Sequence, residues 1–208
     1  MKNPHLNYAA LKHRMLRYEW DGSAQQRLHK PYVMLENLWN MNEMRVGEGT
    51  IRVATSADRE GIRQLVNAAF DVERFLKKGG GDRLQGDGEF EELWERGTFL
   101  VKEEDEALTG CVYLELRGER AYLGLLSIAP ARQGAGLGKQ LNHAAEQYAR
   151  EQGCRWMDLR VVSPRAEQLL PVYRKLGYVE TGTEEYAAAL VEKMAIPGYF
   201  ILMTKQLS

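Results

Sequence analysis

From Thr50 onward the apolar positions fall into short regular patterns. Thr50 to Ala54 alternates as a strand, and Thr55-Ser56-Ala57-Asp58 offers an N-cap for a helix that carries Ile62, Leu65, Val66 and Ala69 on one face and ends near Phe70. Lys77 to Gly88 holds five glycines and little apolar content, which reads as a mobile loop, before a short helix with Phe90, Leu93 and Trp94. Three strands follow as a meander over Thr98–Lys102, Leu108–Leu116 and Ala121–Ile128, with turns at Glu104-Asp105-Glu106 and Arg117-Gly118-Glu119. The period then changes. Leu137, Leu141, Ala144, Ala145 and Tyr148 recur at helical spacing, Gly153 marks the exit, and Trp156–Val162 returns to a strand. A helix over Ala166–Leu176 contains Pro171, which predicts a kink or a break. Strands at Tyr178–Glu185 and Tyr199–Lys205 flank an insert, Ala187–Ala195. The order β-α-α-β-β-β-α-β-α-β-β predicts an α/β fold with a mixed sheet covered by helices on both faces.

The first 49 residues differ, with seven Lys or Arg against five Asp or Glu and three of the four histidines. Leu6, Ala9, Ala10, His13, Leu16 and Arg17 fall near helical spacing, and Val33 to Met44 forms a second amphipathic stretch. No chemical motif stands here. Residues 1–49 therefore read as a partly helical N-terminal extension, either a docking appendage or a segment upstream of a start near Met41 or Met44, and residues 50–208 as the functional domain.

Composition narrows the function classes. The 208 residues carry 28 basic and 29 acidic side chains, a balance that excludes a polyelectrolyte bound nonspecifically to nucleic acid, since that mode needs surplus cations. Apolar runs such as Ala187–Val191 fall far short of the ~20 residues that a spanning helix requires, so neither a membrane nor a nucleic-acid partner is expected, and a cytoplasmic location is the default. Cys111 and Cys154 stand apart with no Cys-x-x-Cys spacing, and read as buried apolar residues, with no metal expected.

The most informative segment runs Leu126-Ser127-Ile128-Ala129-Pro130-Ala131-Arg132-Gln133-Gly134-Ala135-Gly136-Leu137-Gly138-Lys139. A buried strand enters a glycine-rich turn that opens an amphipathic helix, so backbone NH groups and the positive helix end can converge on an anion, with Arg132 and Lys139 alongside. A P-loop fails because Gln133 and Gln140 stand where Gly and Ser or Thr are needed. The dinucleotide fingerprint fails because Lys139 or Leu141 replaces its last glycine.

Gln133-Gly134-Ala135-Gly136-Leu137-Gly138 resembles the acetyl-CoA-binding motif Gln/Arg-x-x-Gly-x-Gly/Ala of the GCN5-related N-acetyltransferase (GNAT) superfamily. Pro171-Val172-Tyr173-Arg174-Lys175-Leu176-Gly177-Tyr178 resembles its second hallmark, an aromatic residue before a Lys-Leu-Gly-Tyr/Phe helix end. The resemblance covers about Thr50 to Leu207. It implies a GNAT-like, mostly antiparallel mixed sheet and acetyl-CoA as donor, with Leu126, Ser127 and Ile128 lying along the pantetheine and the NH groups of Gln133, Gly134, Ala135, Gly136, Leu137, Gly138 and Lys139 holding the pyrophosphate. It also implies transfer of acetyl to a primary amine of a small molecule or a peptide, with Tyr173 facing the leaving thiolate. A homodimer is left open. The alternative is a non-catalytic acyl-CoA-binding regulatory module on the same fold.

An amine resembling lysine, with a pKa near 10.4, must shed a proton before it attacks. Many relatives place a carboxylate for this on the strand before the loop, where this chain has Tyr122; Glu115 on the adjacent strand is the substitute if it faces the cleft. Relatives often carry Asn where this chain has Ser163-Pro164-Arg165-Ala166, so Arg165 is free to meet cofactor or substrate. Acceptor selection is expected from Phe70–Trp94 and the Ala187–Ala195 insert, the Lys77-Lys78 and Glu91-Glu92 pairs from solvated faces, and His143 as a plain helix residue. Tyr178 and Tyr186 suit cleft or core equally.

Overall fold

The computed structural model describes residues 44–45, 49–84 and 86–207; the expectations for the N-terminal extension lie outside them, apart from its last few positions. Eight strands form one sheet in the order β1-β2-β3-β4-β5-β6-β8-β7: β1 Met44–Arg45, β2 Thr50–Val53, β3 Thr98–Glu104, β4 Ala107–Arg117, β5 Arg120–Ile128, β6 Trp156–Val162, β7 Val179–Glu185 and β8 Tyr199–Gln206. Met44 is thus the start of a strand, paired with Ile51, and does not continue a helical stretch. Helices α1 Arg59–Ala69, α2 Gly86–Arg96, α3 Leu137–Glu151, α4 Ala166–Lys175 and the short α5 Ala188–Val191 complete the fold.

Alternation along the strands divides the core between the two faces of the sheet. On β4, Val112 and Leu114 join a cluster with Leu141, Ala144, Ala145 and Tyr148 of α3, while Cys111 and Tyr113 join Ile62, Leu65 and Val66 of α1 and Phe90 of α2. The apolar stripes read from the sequence are therefore the buried faces. Both cysteines are buried and free. The glycine-rich stretch before α2 is pinned: Leu84 is 2% exposed, its NH donates to Asn67 Oδ1 at 2.8 Å, and its carbonyl accepts from Asn67 Nδ2 at 3.3 Å. A lone leucine among glycines suffices here, because the side-chain amide satisfies the backbone that its burial removes from water. Pro171 does not break α4, which runs through it on its exposed side, where water can satisfy the carbonyl that the proline leaves without a donor.

Every neighbouring pair in the sheet is antiparallel except β5 and β6. These two pair only where they begin, from Arg120↔Trp156 to Tyr122↔Asp158, and then part. A one-residue bulge between Gly124 and Ser127 bends β5 away; Leu125 occupies it at φ 47°, a left-handed conformation that costs a non-glycine residue about 1–2 kcal/mol. The bulge also inverts the alternation, since Ala121 and Leu123 face α3 before it and Leu126 and Ile128 do so after it. The result is a gap bordered by the free edge of β5 beyond Tyr122 on one side and that of β6 beyond Asp158 on the other.

Candidate active site

The gap leads directly into the glycine turn. β5 ends at Ile128, a single turn covers Pro130–Arg132, and α3 begins at Leu137 with Gly136 as its N-cap. Gly134 and Gly136 stand at φ 84° and 79°, where a side chain is strained, and a Cβ on either would meet nothing within 4 Å. Of the expected donors, the NH groups of Gln133 and Lys139 are taken up by the carbonyls of Pro130 and Gly136 at 3.4 and 3.1 Å, whereas, among the described residues, those of Gly134 through Gly138 donate to no carbonyl. Five donors, open space beside the glycines and a helix N-terminus suit the pyrophosphate of acetyl-CoA, and the residues present fit that group. Of the two flanking cations, Arg132 is drawn off to Glu104 at 2.6 Å, and Lys139 is exposed.

Across the gap, Tyr173 of α4 is half-buried, with its ring edge-on to Tyr178 at 5.9 Å and its hydroxyl without a hydrogen bond among the described residues. Burial pushes its phenol up to about 12, with Tyr122 and Glu73 adding to the effect. Tyr178 itself is a core residue, 1% exposed, and donates to Asn142 Oδ1 at 3.2 Å.

Glu115 lies opposite Tyr122, level with the last paired residues of β5 and β6 and before the gap opens. Arg96 Nη2 reaches both its oxygens at 3.0 Å, Arg117 Nε donates at 3.0 Å, and Tyr113 donates at 3.3 Å. Burial would raise its pKa, but the Arg117 and Arg96 hydrogen bonds outweigh that and hold it below the usual carboxylate range. A carboxylate so stabilised in its charged form is a poor proton acceptor, so its surroundings argue against a general base. Tyr122 offers no substitute, since burial raises its phenol above the ordinary value and keeps it protonated, against the opposing pull of Arg160, Arg83 and Arg117.

A carboxylate that the sequence did not single out occupies the better place. Glu73 sits on the 3-10 segment Asp71–Leu76 after α1 and lines a cavity of about 320 Å³ with Phe70, Leu76, Val162, Leu190, Met194 and Phe200 as its apolar walls. Val162, at the end of β6 beyond the point where it parts from β5, belongs to the cavity wall, and the Glu73 charge acts on Tyr173, so this cavity borders the β6 side of the gap. Burial pushes the Glu73 carboxyl above its ordinary value, against the opposing pull of Arg165, Arg83 and Lys77. Arg165, free to face either ligand by sequence, turns to Glu73 at 3.1 Å. Nothing local marks Glu73: its neighbours Val72, Arg74 and Phe75 are exposed, and only the packing of distant elements encloses it.

The two segments expected to select the acceptor meet here. Lys78 NH donates to the Lys193 carbonyl at 2.9 Å, Ala195 NH to that of Leu76 at 2.8 Å, and Lys77 pairs with Met194 as an isolated bridge. Lys78 is exposed as expected, but Lys77 is half-buried on the cavity wall, and burial, with Arg83 beside it, lowers its pKa. Tyr186 backs the cavity, edge-on to Phe200 with ring centres 4.8 Å apart, and His143 is exposed on α3. No helix among the described residues is long and apolar enough to cross a membrane.

Comparison with solved structures returns the same architecture at low identity. The ribosomal-protein-S18-alanine N-acetyltransferase of Escherichia coli superposes with a TM-score of 0.60 at 16% identity, over 77% of this chain and 94% of that one. Salmonella typhimurium yncA, described as a putative acetyltransferase with its cofactor acetyl-CoA, gives 0.60 at 22% identity, over 78% and 95%. The IAA acetyltransferase of Bacillus cereus gives 0.59 at 18%, over 77% and 100%. Comparison by sequence with curated proteins finds no significant match. The profile of the Acetyltransferase (GNAT) family matches residues 59–178, more than half of the chain and the stretch that carries α1, the glycine turn and Tyr173. The chain belongs to the GNAT family of acetyltransferases.

Proposed function

We propose that the protein transfers an acetyl group from acetyl-CoA directly to a primary amine. The observation that carries this reading is the gap between β5 and β6, with a free strand edge on either side, the glycine turn at one end and a half-buried cavity beside it. Gly134 through Gly138 would hold the pyrophosphate by their NH groups, and the free edge of β5 at Leu126, Ser127 and Ile128 would bind the amide-bearing arm. Acetyl-CoA supplies a thioester whose C–S bond breaks as the amine nitrogen forms the new C–N bond; the ammonium gives up one proton before attack and a second as it becomes the amide, and this second proton, passed directly or through water, neutralises the departing thiolate.

Glu73 is the group placed to receive the ammonium proton. Its raised pKa makes it a stronger base than a surface carboxylate, and Arg165 fixes its orientation. Tyr173 faces the other end of the exchange. With its phenol pushed up to about 12, outright transfer to a thiolate of pKa near 8.5 would be uphill by roughly 5 kcal/mol. Tyr173 therefore keeps its proton and stabilises the thiolate by a hydrogen bond. The relatives named above act on a ribosomal-protein alanine and on IAA, so the fold leaves the acceptor open.

The test is release of free thiol from acetyl-CoA across a panel of amines, with the N-acetyl product identified by mass. Acceptor-dependent release supports transfer. Tight acetyl-CoA binding with no turnover on any amine would identify a binding module and end the catalytic reading.

A further inference from the structure

The cavity beside Glu73 carries a charge pattern that selects among amines. Its walls include three cations, Arg74, Lys77 and Arg83, against two carboxylates, Glu73 and Glu89. Four of these five are matched within the protein: Arg83 pairs with Glu89 at 2.7 Å, Arg74 with Asp71 at 3.1 Å, and Glu73 with Arg165 at 3.1 Å. Lys77 makes no ion pair among the described residues. Its ammonium donates to the backbone carbonyls of Asp82 and Arg83, which leaves the third of its donors unassigned. Its position is fixed, because the bridge to Met194 and the flanking hydrogen bonds at Leu76 and Lys78 tie its backbone to the α5 insert.

We propose that the acceptor is a small amine that also bears a carboxylate on an apolar frame, an amino-acid-like molecule, whose acid group pairs with Lys77 while its amine faces Glu73. This rests on the acetyl-transfer reading and adds the substrate class. Its size agrees, since about 320 Å³ lies at the small end of the ~300–1,000 Å³ range of ligand pockets. Its walls agree too: Phe70, Leu76, Leu190, Met194 and Phe200 favour an apolar side chain. A polyamine would bring a second ammonium against the three wall cations, with no unpaired carboxylate to receive it. The buried environment that lowers the pKa of Lys77 is one that an incoming carboxylate relieves.

The experiment compares matched acceptors with the full chain and acetyl-CoA: leucine, methionine and phenylalanine, each against the amine formed by removing its carboxyl group, with spermidine as a third arm. The carboxylate-bearing member of each pair is expected to have a kcat/KM higher by about ten-fold or more, the size of one charge-assisted hydrogen bond. Turnover of the decarboxylated amines or spermidine at equal or higher kcat/KM would overturn the proposal while sustaining acetyl transfer. No turnover on any amine would overturn both. Lys77→Met should raise KM for the amino acids about ten-fold and leave KM for the decarboxylated amines within two-fold, with Lys77→Arg restoring most of the difference. An equal loss on both members of each pair would show that Lys77 only supports the wall, against the proposal.

Discussion

Gly136→Ala isolates the anion cradle from the stability of the fold. At φ 79° an alanine incurs the left-handed penalty, about 1–2 kcal/mol, but its Cβ meets nothing within 4 Å, so no packing is lost. For a protein of this size that predicts a fall in Tm of roughly 2–8 °C. Gly118 supplies the matched control: it stands at φ 64° in the β4–β5 turn, and a Cβ there also meets nothing within 4 Å. Gly118→Ala should therefore cost similar stability. The two differ in what lies in front of them. At Gly136 the new methyl enters open space among the unpaired NH groups of Gly134 through Gly138, and pushing a phosphate off one or two charge-assisted hydrogen bonds, each about 1.5–3 kcal/mol, weakens binding by roughly 10- to 1,000-fold or more. Gly136→Glu adds a like charge, worth about 4 kcal/mol at ~4 Å and an effective dielectric of ~20, and should abolish binding. Calorimetric titration with acetyl-CoA, alongside thermal melts of the three variants, reads both quantities. Gly136→Ala binding within two-fold of Gly118→Ala would refute the assignment of the turn as the pyrophosphate site.

Other expected outcomes follow from the same geometry. Tyr173→Phe should lower kcat at saturating acetyl-CoA by about ten-fold or more and leave the affinity for acetyl-CoA unchanged, because the hydroxyl acts on the leaving group; an unchanged kcat would remove its role. Glu73→Gln should reduce kcat/KM by about 10²–10⁴. The base must be unprotonated, so wild-type activity falls as pH drops through the raised Glu73 pKa, and in the variant that acid limb should disappear. Asp58 accepts from Arg52 at 2.7 and 2.9 Å and from Thr55 NH at 2.7 Å; burial opposes its ionisation, yet these bonds hold its pKa below the ordinary value. Its stabilisation is complete above about pH 5 and is lost as pH falls through the folded-state pKa, so Asp58→Asn should lower Tm at pH 7 and converge on wild type in strong acid. A gap in Tm that persists unchanged at low pH would contradict this. Leu84→Ala should cost about 2–5 kcal/mol by opening a cavity beneath the pinned loop, measured by denaturant unfolding.

What the chain order settles by itself is whatever depends on neighbouring residues. Ile62, Leu65 and Val66 recur at helical spacing and are the buried face of α1; β6 spans the seven residues from Trp156 to Val162 that the alternation marked. The glycine turn was legible because backbone NH groups can converge only where side chains are absent, a property written into consecutive residues. The rest is decided by approach between distant segments. Leu125 carries no glycine-like signal, yet it takes a left-handed conformation because the bulge that parts β5 from β6 falls on it. Glu115 reads as an available carboxylate until Arg96 and Arg117 close on it. Lys77 reads as solvated beside Lys78, yet the α5 insert, more than a hundred residues on, folds back and encloses it. A residue's hydrogen-bonding and ionisation chemistry is inherent in its type, but its burial, its counter-ion and hence the direction of its pKa are properties of what packs against it, and only the tertiary structure brings those groups together.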